Sequence, residues 1–162
     1  MALGPTKAAL MSLEAKVPPP AVAVAVAVVM WGISFLAPEV AMPETLRLAA
    51  CLAIVVAGLV FSAGGLLSFR RARTTVNPTT PEAASSLVSS GIYRITRNPM
   101  YVGLSLFLMA WAVFLSSAWA LLGLVAFVLY IGRFQIAPEE RALSKLFGSE
   151  YASYKATVRR WL

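Results

Sequence analysis

The chain has 162 residues, of which 59% are hydrophobic and only 13% charged, and its formal net charge is +7. This composition excludes an ordinary soluble domain and predicts an integral membrane protein. The sequence contains no histidine and no aspartate, which excludes Ser-His-Asp triads, histidine-ligated metals and imidazole bases. The single cysteine, Cys51, excludes an internal disulfide.

Four apolar segments without charges predict four transmembrane helices, at about residues 21–37, 48–69, 100–115 and 118–131. The first alternates alanine and valine as a strand would, but a lone strand in lipid leaves its backbone unpaired, so we predict a helix. A cleaved signal peptide is the alternative interpretation of this segment, although its removal would leave three spans. The last two segments flank Ser116-Ser117, which predicts a tight helical hairpin.

The basic residues are distributed asymmetrically about these segments. All but one of the 14 lysines and arginines lie before the first segment, between the second and third, or after the fourth, and the exception is Arg47. The positive-inside rule therefore predicts that the termini and the middle loop are cytoplasmic, with Glu39 and Glu44 outside. The charge indicates topology and attraction to anionic lipid, and we find no nucleic-acid motif. The uncharged spans argue against a proton-coupled transporter.

We predict a single domain over residues 1–162, with two N-terminal spans (1–69), a cytoplasmic loop (70–98), the hairpin (99–137) and a C-terminal amphipathic arm (138–162). The arginines at 70, 71 and 73 are interpreted as stop-transfer charges, or alternatively as contacts to a substrate headgroup. Within the second span, Ala49, Ala53 and Ala57 recur at helical spacing and are compatible with close helix contacts.

Asn98-Pro99 predicts the start of the third helix, because asparagine is a preferred N-cap and proline suits the first helical position. The free N–H groups there favour an anion, and Arg94 and Arg97 add positive charge. One turn further, Gly103 leaves room for a ligand or a neighbouring helix. This segment predicts an anion site at the membrane surface, and the alternative is helix capping with positive-inside anchoring.

The C-terminal arm is predicted to begin a new helix at Pro138, with Glu139 and Glu140 in its first turn, where the helix dipole stabilises them. Gly148-Ser149 predicts an interruption before a second amphipathic stretch. Considered alone, the two acids are interpreted as residues that cap the helix and form a solvated pair. Facing Arg97 from the same side of the membrane, they instead form a pocket with both charge signs, which suits a zwitterionic or cationic ligand.

Six blocks carry a resemblance to a known family: LVSSGIY (87–93), RNPMYVG (97–103), RF (133–134), EE (139–140), LFGSEY (146–151) and YK (154–155). Together they resemble the isoprenylcysteine carboxyl methyltransferase family and its bacterial relatives, over roughly residues 69–158. The resemblance implies a membrane methyltransferase that uses S-adenosylmethionine and releases S-adenosylhomocysteine. Where eukaryotic members carry a histidine before the proline, this chain has Asn98, so an imidazole role is excluded.

The resemblance also implies roles for particular residues. The expected catalytic residues are Arg97 and Glu139, the expected cofactor-binding residues are Asn98, Pro99, Tyr101, Gly103, Arg133 and Glu140, and the expected substrate-orienting residues are Arg70, Arg73 and Tyr93. The expected substrate is a lipophilic carboxylate or thiol at the cytoplasmic membrane interface, without a metal. A phospholipid-amine or small-thiol methyltransferase is the alternative in the same chemistry, and a non-catalytic four-helix scaffold or transporter is the alternative in another class.

Overall fold

The computed structural model describes residues 17–36, 38–72 and 86–162, and every regular element in these ranges is helical. The α-helices are α1 (Pro19–Ser34), α2 (Glu44–Ala72), α3 (Pro99–Phe114), α4 (Leu121–Ile131) and α5 (Ala137–Thr157). A 3-10 turn (Gly91–Arg94) precedes α3, and a π turn (Gly132–Ile136) joins α4 to α5. The predicted all-helical class is confirmed for this part of the chain.

Two helices are long and apolar enough to cross a membrane. They are α2, with 29 residues, and the continuous helix Leu121–Thr157, with 37 residues, which contains α4, the π turn and α5. The helices α1 and α3 are also apolar but have only 16 residues each. Large apolar side chains cover the outside, and Leu52 and Leu129 are 67% and 68% exposed. Such a surface suits contact with lipid rather than water.

The turn between α3 and α4 lies at the predicted Ser116-Ser117 break, where Ser116 has a positive φ of 49°. The Arg47 guanidinium Nη1 donates to Ser116 Oγ at 2.9 Å, and the Val40 backbone N–H donates to the Ser116 carbonyl at 2.7 Å. These contacts bring Arg47 and the hairpin turn to one end of the molecule, as the charge distribution predicts.

The predicted helix start at Pro138 is wrong in one respect, because the helix does not begin anew there but continues from α4. Proline in a helix interior removes a backbone donor and its ring meets the carbonyl four residues earlier, here that of Phe134. Phe134 lies within the π turn, whose wider spacing relieves both conflicts. The chain therefore passes through Pro138 as a helix.

The contact between α2 and α3 is made at glycines. A Cβ added at Gly103 would meet Ser62 Oγ and would lie 2.9 Å from the Gly58 carbonyl oxygen. The two backbones therefore approach closely only because neither Gly58 nor Gly103 carries a side chain. The alanine spacing does not mark this contact, since Ala49 and Ala53 are exposed.

We expect Gly103→Ala to destabilise the protein by about 1–3 kcal/mol, because the new methyl group must push apart two backbones. Gly32→Ala in α1 is the matched control, since a Cβ there meets nothing within 4 Å. Alanine also favours the helix over glycine, so the control should be neutral or stabilising. Thermal unfolding in detergent measures both variants, and equal melting temperatures would contradict this account of the α2–α3 contact.

A second cluster of buried residues lies beside the start of α3, where α5 packs against the 3-10 turn. It contains Val88, Tyr93, Tyr151 and Tyr154. The Tyr154 hydroxyl donates to the Tyr93 carbonyl at 2.7 Å. The predicted interruption in α5 is observed at Gly148, which has φ 46° and ψ −117°. This cluster fixes the 3-10 turn and so sets the position of the residues that lead into α3.

Candidate active site

The α3 helix begins at Pro99, as predicted, but the Asn98 side chain does not cap it. Instead the Asn98 amide Nδ2 donates to the carbonyl of Arg160 at 2.8 Å, and the Asn98 backbone N–H donates to Thr96 Oγ1 at 3.2 Å. The predicted capping bond is therefore wrong. The Asn98 side chain is held instead by a segment from the other end of the chain, to which it donates.

That segment consists of residues 158–162, which we call the C-terminal segment. It leaves α5 in an extended conformation at Val158 and crosses the start of α3. The Arg97 backbone N–H donates to the Arg159 carbonyl at 2.9 Å, and buried Thr96 donates through its hydroxyl to the Arg160 carbonyl at 3.1 Å. Trp161 packs against the main apolar core. The C-terminal segment thus closes one side of the site.

Glu140 binds two arginines at this position. Arg97 Nη2 donates to Glu140 Oε1 at 2.9 Å, and Arg160 Nε donates to the same oxygen at 3.1 Å, while Arg160 Nη2 binds Oε2. The side chains of Arg97 and Glu140 are only 10% and 11% exposed, whereas that of Arg160 is 43% exposed. The hydrogen bond to Glu140 raises the pKa of Arg160 further above its usual range. Arg97 is therefore the buried partner of Glu140, and Arg160 is the accessible one.

The Arg97 guanidinium has unused hydrogen-bonding capacity. Its Nε and Nη1 atoms are buried and have no partner among the residues that the structure describes. Buried guanidinium groups rarely leave two nitrogens unsatisfied, because each lost hydrogen bond costs free energy. These two nitrogens are the clearest sign that a group beyond the described residues binds here.

Glu139 makes the second contact between α3 and α5. The buried Tyr101 hydroxyl donates to Glu139 Oε1 at 2.8 Å. Arg97, just before α3, and Tyr101, in its first turn, thus contact the two acids of α5. The predicted position of Glu139 and Glu140 opposite the Arg97 segment is observed.

The structure brings six of the predicted site residues into direct contact with one another. Those brought together are Arg97, Asn98, Pro99, Tyr101, Glu139 and Glu140. Gly103 lies one turn away, at the contact with α2. Arg133 is exposed on the π turn, with its guanidinium 5.4 Å from the Phe134 ring. For Gly103 the geometry therefore indicates a packing role.

The predicted substrate-orienting residues differ in position, and of those that the structure describes only Tyr93 is near enough to this cluster to interact electrostatically with Glu139. Arg70 is exposed at the end of α2, and Arg73 lies outside the described residues. The Tyr93 ring is buried edge-on against Phe69, with centroids 5.5 Å apart. Burial raises the pKa of Tyr93 well above its usual range, so the hydroxyl stays protonated. Tyr93 contributes to the packing beneath the site.

Three polar residues near the site were missed by the sequence analysis, namely Thr96, Gln135 and Arg160. Arg160 was counted only as a topology charge, because an extended segment has no periodicity that would place it. Thr96 and Gln135 are both fully buried. A signal for Gln135 was present, since it is a polar residue in the otherwise apolar stretch before Pro138.

The residues present fit the amino-acid end of S-adenosylmethionine. That end carries a carboxylate and an ammonium, and the site offers unpartnered guanidinium nitrogens of Arg97 beside the carboxylates of Glu139 and Glu140. Arginine binds carboxylates with charge-assisted hydrogen bonds, and carboxylates bind ammonium groups. An open groove of about 400 Å³ reaches Glu140 from the surface, and the other residues that line it are Ala137, Arg141, Ser144, Lys145 and Lys155.

Comparison with known proteins identifies the class. The chain matches the phospholipid methyltransferase family over residues 46–150, more than half of its length, and it belongs to that family. This is a family of membrane methyltransferases related to the isoprenylcysteine carboxyl methyltransferases, so the resemblance seen in the sequence is confirmed. The match contains α2, α3, α4 and the two acids, whereas α1 and the C-terminal segment lie outside it.

An uncharacterised protein of Haemophilus influenzae is 51% identical to this chain over 63 residues, which are 39% of this chain and all of that protein. No solved structure matches the chain. The match to the family model is therefore the finding that assigns this chain to its class.

Proposed function

We propose that this protein is an S-adenosylmethionine-dependent methyltransferase that methylates a carboxylate or thiolate of a lipophilic substrate at the cytoplasmic face of a bacterial inner membrane. The observation that supports this most directly is the Arg97 guanidinium, buried against Glu140 with two nitrogens unpartnered among the described residues. It stands at the start of an apolar helix in a chain of this family.

In this proposal the donor, when bound, supplies a methyl group carried on a positively charged sulfur. Arg97 would hold the carboxylate of the donor through one of its two unpartnered nitrogens, and Glu139 would hold its ammonium or ribose. Tyr101 holds Glu139 in place through the 2.8 Å hydrogen bond. Because the Tyr101–Glu139 pair is enclosed between α3 and α5, these residues also exclude water from the donor.

The proposed acceptor needs little chemical help from the chain. A carboxylate is already charged and requires no general base, and a thiol can lose its proton to water before it reacts, which accords with a sequence that has no histidine. The protein then has to orient two partners and remove water between them. Orientation alone contributes about 7–11 kcal/mol in favourable cases.

The proposed topology has four crossings with both termini in the cytoplasm. It is supported by the position of Arg47 beside the Ser116 turn, at the end of α3 opposite to Arg97. Under this proposal α1 and α3, at 16 residues each, cross as short helices whose flanking residues complete the span. The lipid tail of the substrate then reaches the site from the side of the bilayer.

The proposal is tested by calorimetric titration of S-adenosylhomocysteine into the detergent-purified protein. We expect micromolar binding that weakens about tenfold or more in Glu139→Gln, because the neutral amide no longer attracts a cation. Glu150→Gln is the matched control, since Glu150 is exposed on the same helix and should leave the affinity unchanged. No binding by folded wild-type protein would overturn the proposal and favour a non-catalytic scaffold or a transporter.

The description of the family favours a second acceptor class, the amine of a phospholipid. An amine must lose a proton before it accepts a methyl group, so its methylation rate should rise about tenfold per pH unit below the amine pKa. A carboxylate is charged throughout the neutral range, so its rate should be nearly constant there. Rates measured from pH 6 to pH 9 with both substrate types separate these acceptors, and a steep rise would contradict the carboxylate.

A further inference from the structure

Gln135 is fully buried in the π turn that joins α4 to α5. Such turns occur mostly as single interruptions within α-helices and are frequent at functional sites, because they change the direction in which a side chain projects. Glu139, which contacts Tyr101, lies four residues further along, close to one helical turn. Gln135 therefore continues the row of polar groups from the α5 start toward the apolar half of the molecule.

Only one of the two polar atoms of the Gln135 side chain has a hydrogen-bond partner among the described residues. Its amide Nε2 donates to the carbonyl of Val17, at the start of α1, at 2.8 Å. Its Oε1 atom is buried and has no donor partner within the described part of the chain. The Val17 contact also fixes the orientation of the amide, because only the nitrogen can donate to a carbonyl. Oε1 therefore cannot turn away to find another partner.

Because the surroundings are apolar, leaving this acceptor without a hydrogen bond costs free energy. The neighbouring residues Ile131 and Ile136 are both fully buried in the main core, which also contains Tyr101. An apolar side chain of the same size would remove this buried acceptor, and the carbonyl that it would release belongs to Val17, which is only half-buried. The fixed amide thus indicates that a hydrogen-bond donor beyond the described residues meets Oε1.

We propose that Gln135 is a ligand-contacting residue whose Oε1 accepts a hydrogen bond from an N–H or O–H group of the methyl donor. This inference rests on the proposed function. Arg97 and Glu139 are assigned to the amino-acid end of the donor, so the part that reaches Gln135, one turn further in, is the nucleoside. Its candidate groups are the two ribose hydroxyls and the adenine amino group. Through Val17, α1 then supports the site as well.

The first test compares Gln135→Met with the wild type. Methionine matches glutamine in size but has no comparable acceptor, so we expect S-adenosylhomocysteine to bind about tenfold more weakly, with an unchanged or higher melting temperature without ligand. Ser68→Ala is the control, because it also removes a buried polar group, but one whose bond is to Gly64 within its own helix. Unchanged affinity in Gln135→Met would overturn the proposal, and so would weaker binding accompanied by a lower melting temperature.

The second test needs no variant. Analogues of S-adenosylhomocysteine that lack the adenine amino group, the 2′-hydroxyl or the 3′-hydroxyl are titrated into the wild-type protein. At least one should bind about tenfold more weakly, and that difference should vanish in Gln135→Met. If no analogue loses affinity, the inference is overturned while the proposed function stands. If S-adenosylhomocysteine itself does not bind the wild type, the proposed function fails first.

Discussion

Replacing Arg97 with alanine is expected to weaken S-adenosylhomocysteine binding about 100-fold while lowering the melting temperature only slightly. The expected loss corresponds to about 3 kcal/mol, which is the upper end of the range for a hydrogen bond to a charged group such as the ligand carboxylate. Binding is measured by calorimetry and stability by thermal unfolding of the ligand-free protein in detergent.

The small effect of Arg97→Ala on stability follows from the geometry. Glu140 keeps Arg160, which contacts both of its oxygens, so the variant does not leave a buried carboxylate without a cation. The variant also removes two buried nitrogens that have no partner among the described residues. Arg94→Ala is the matched control, because Arg94 is exposed three residues earlier and carries the same charge. Equal losses of affinity and stability in Arg97→Ala would show that Arg97 is structural.

In contrast to Arg97→Ala, Glu140→Ala is expected to lower stability strongly, and we expect it to destabilise the protein by about 3–5 kcal/mol. Removing one partner of a buried ion pair leaves an uncompensated charge, here the Arg97 guanidinium, whose side chain is 10% exposed. The same substitution releases Arg160 and with it the C-terminal segment from α5. One carboxylate therefore connects α5, the start of α3 and the end of the chain.

Unfolding in detergent, followed by tryptophan fluorescence or by thermal shift, measures this loss. Glu150→Ala removes an equivalent carboxylate from the exposed surface of the same helix and should change stability by less than about 0.5 kcal/mol. A melting temperature for Glu140→Ala that matches this control would contradict the central role of the ion pair.

Hydropathy predicted the helices well because an apolar segment has few alternatives in a membrane. The start of α3 was placed to within one residue, since Asn98-Pro99 is a local signal. The passage of the helix through Pro138 was not predictable in this way. It depends on the wider turn at residues 132–136, and backbone hydrogen bonding of that kind leaves no trace in hydropathy.

The helix contact was also only partly predictable. Small residues recur in α2 at both alanine and glycine positions, and periodicity alone does not say which set meets a neighbour. The structure selects Gly58, because it faces Gly103 across a gap too small for a side chain. Alanine at 49 and 53 instead lies on the exposed face. The choice depends on the rotation of α2 about its axis, which only the partner helix determines.

The site followed from charges that had to meet on one side of the membrane. Arg97 and the two acids are separated by over 40 residues. Arg97 precedes the apolar helix α3, and the acids follow the apolar helix α4, so both groups lie at the same end of the molecule. There Arg97 contacts Glu140. The role of the C-terminal segment did not follow, because its main-chain carbonyls make the contacts to Thr96 and Asn98. Every residue has a carbonyl, so the sequence cannot mark the ones that are used.

The C-terminal segment makes the site vulnerable to proteolysis at a place far from any apolar helix. Cleavage before Arg160 would remove the carbonyl that accepts from Thr96 and Asn98, which lie more than 60 residues earlier in the chain. It would also remove the accessible arginine of Glu140. A protein cut there would keep α1 to α5 but would have lost one side of its site.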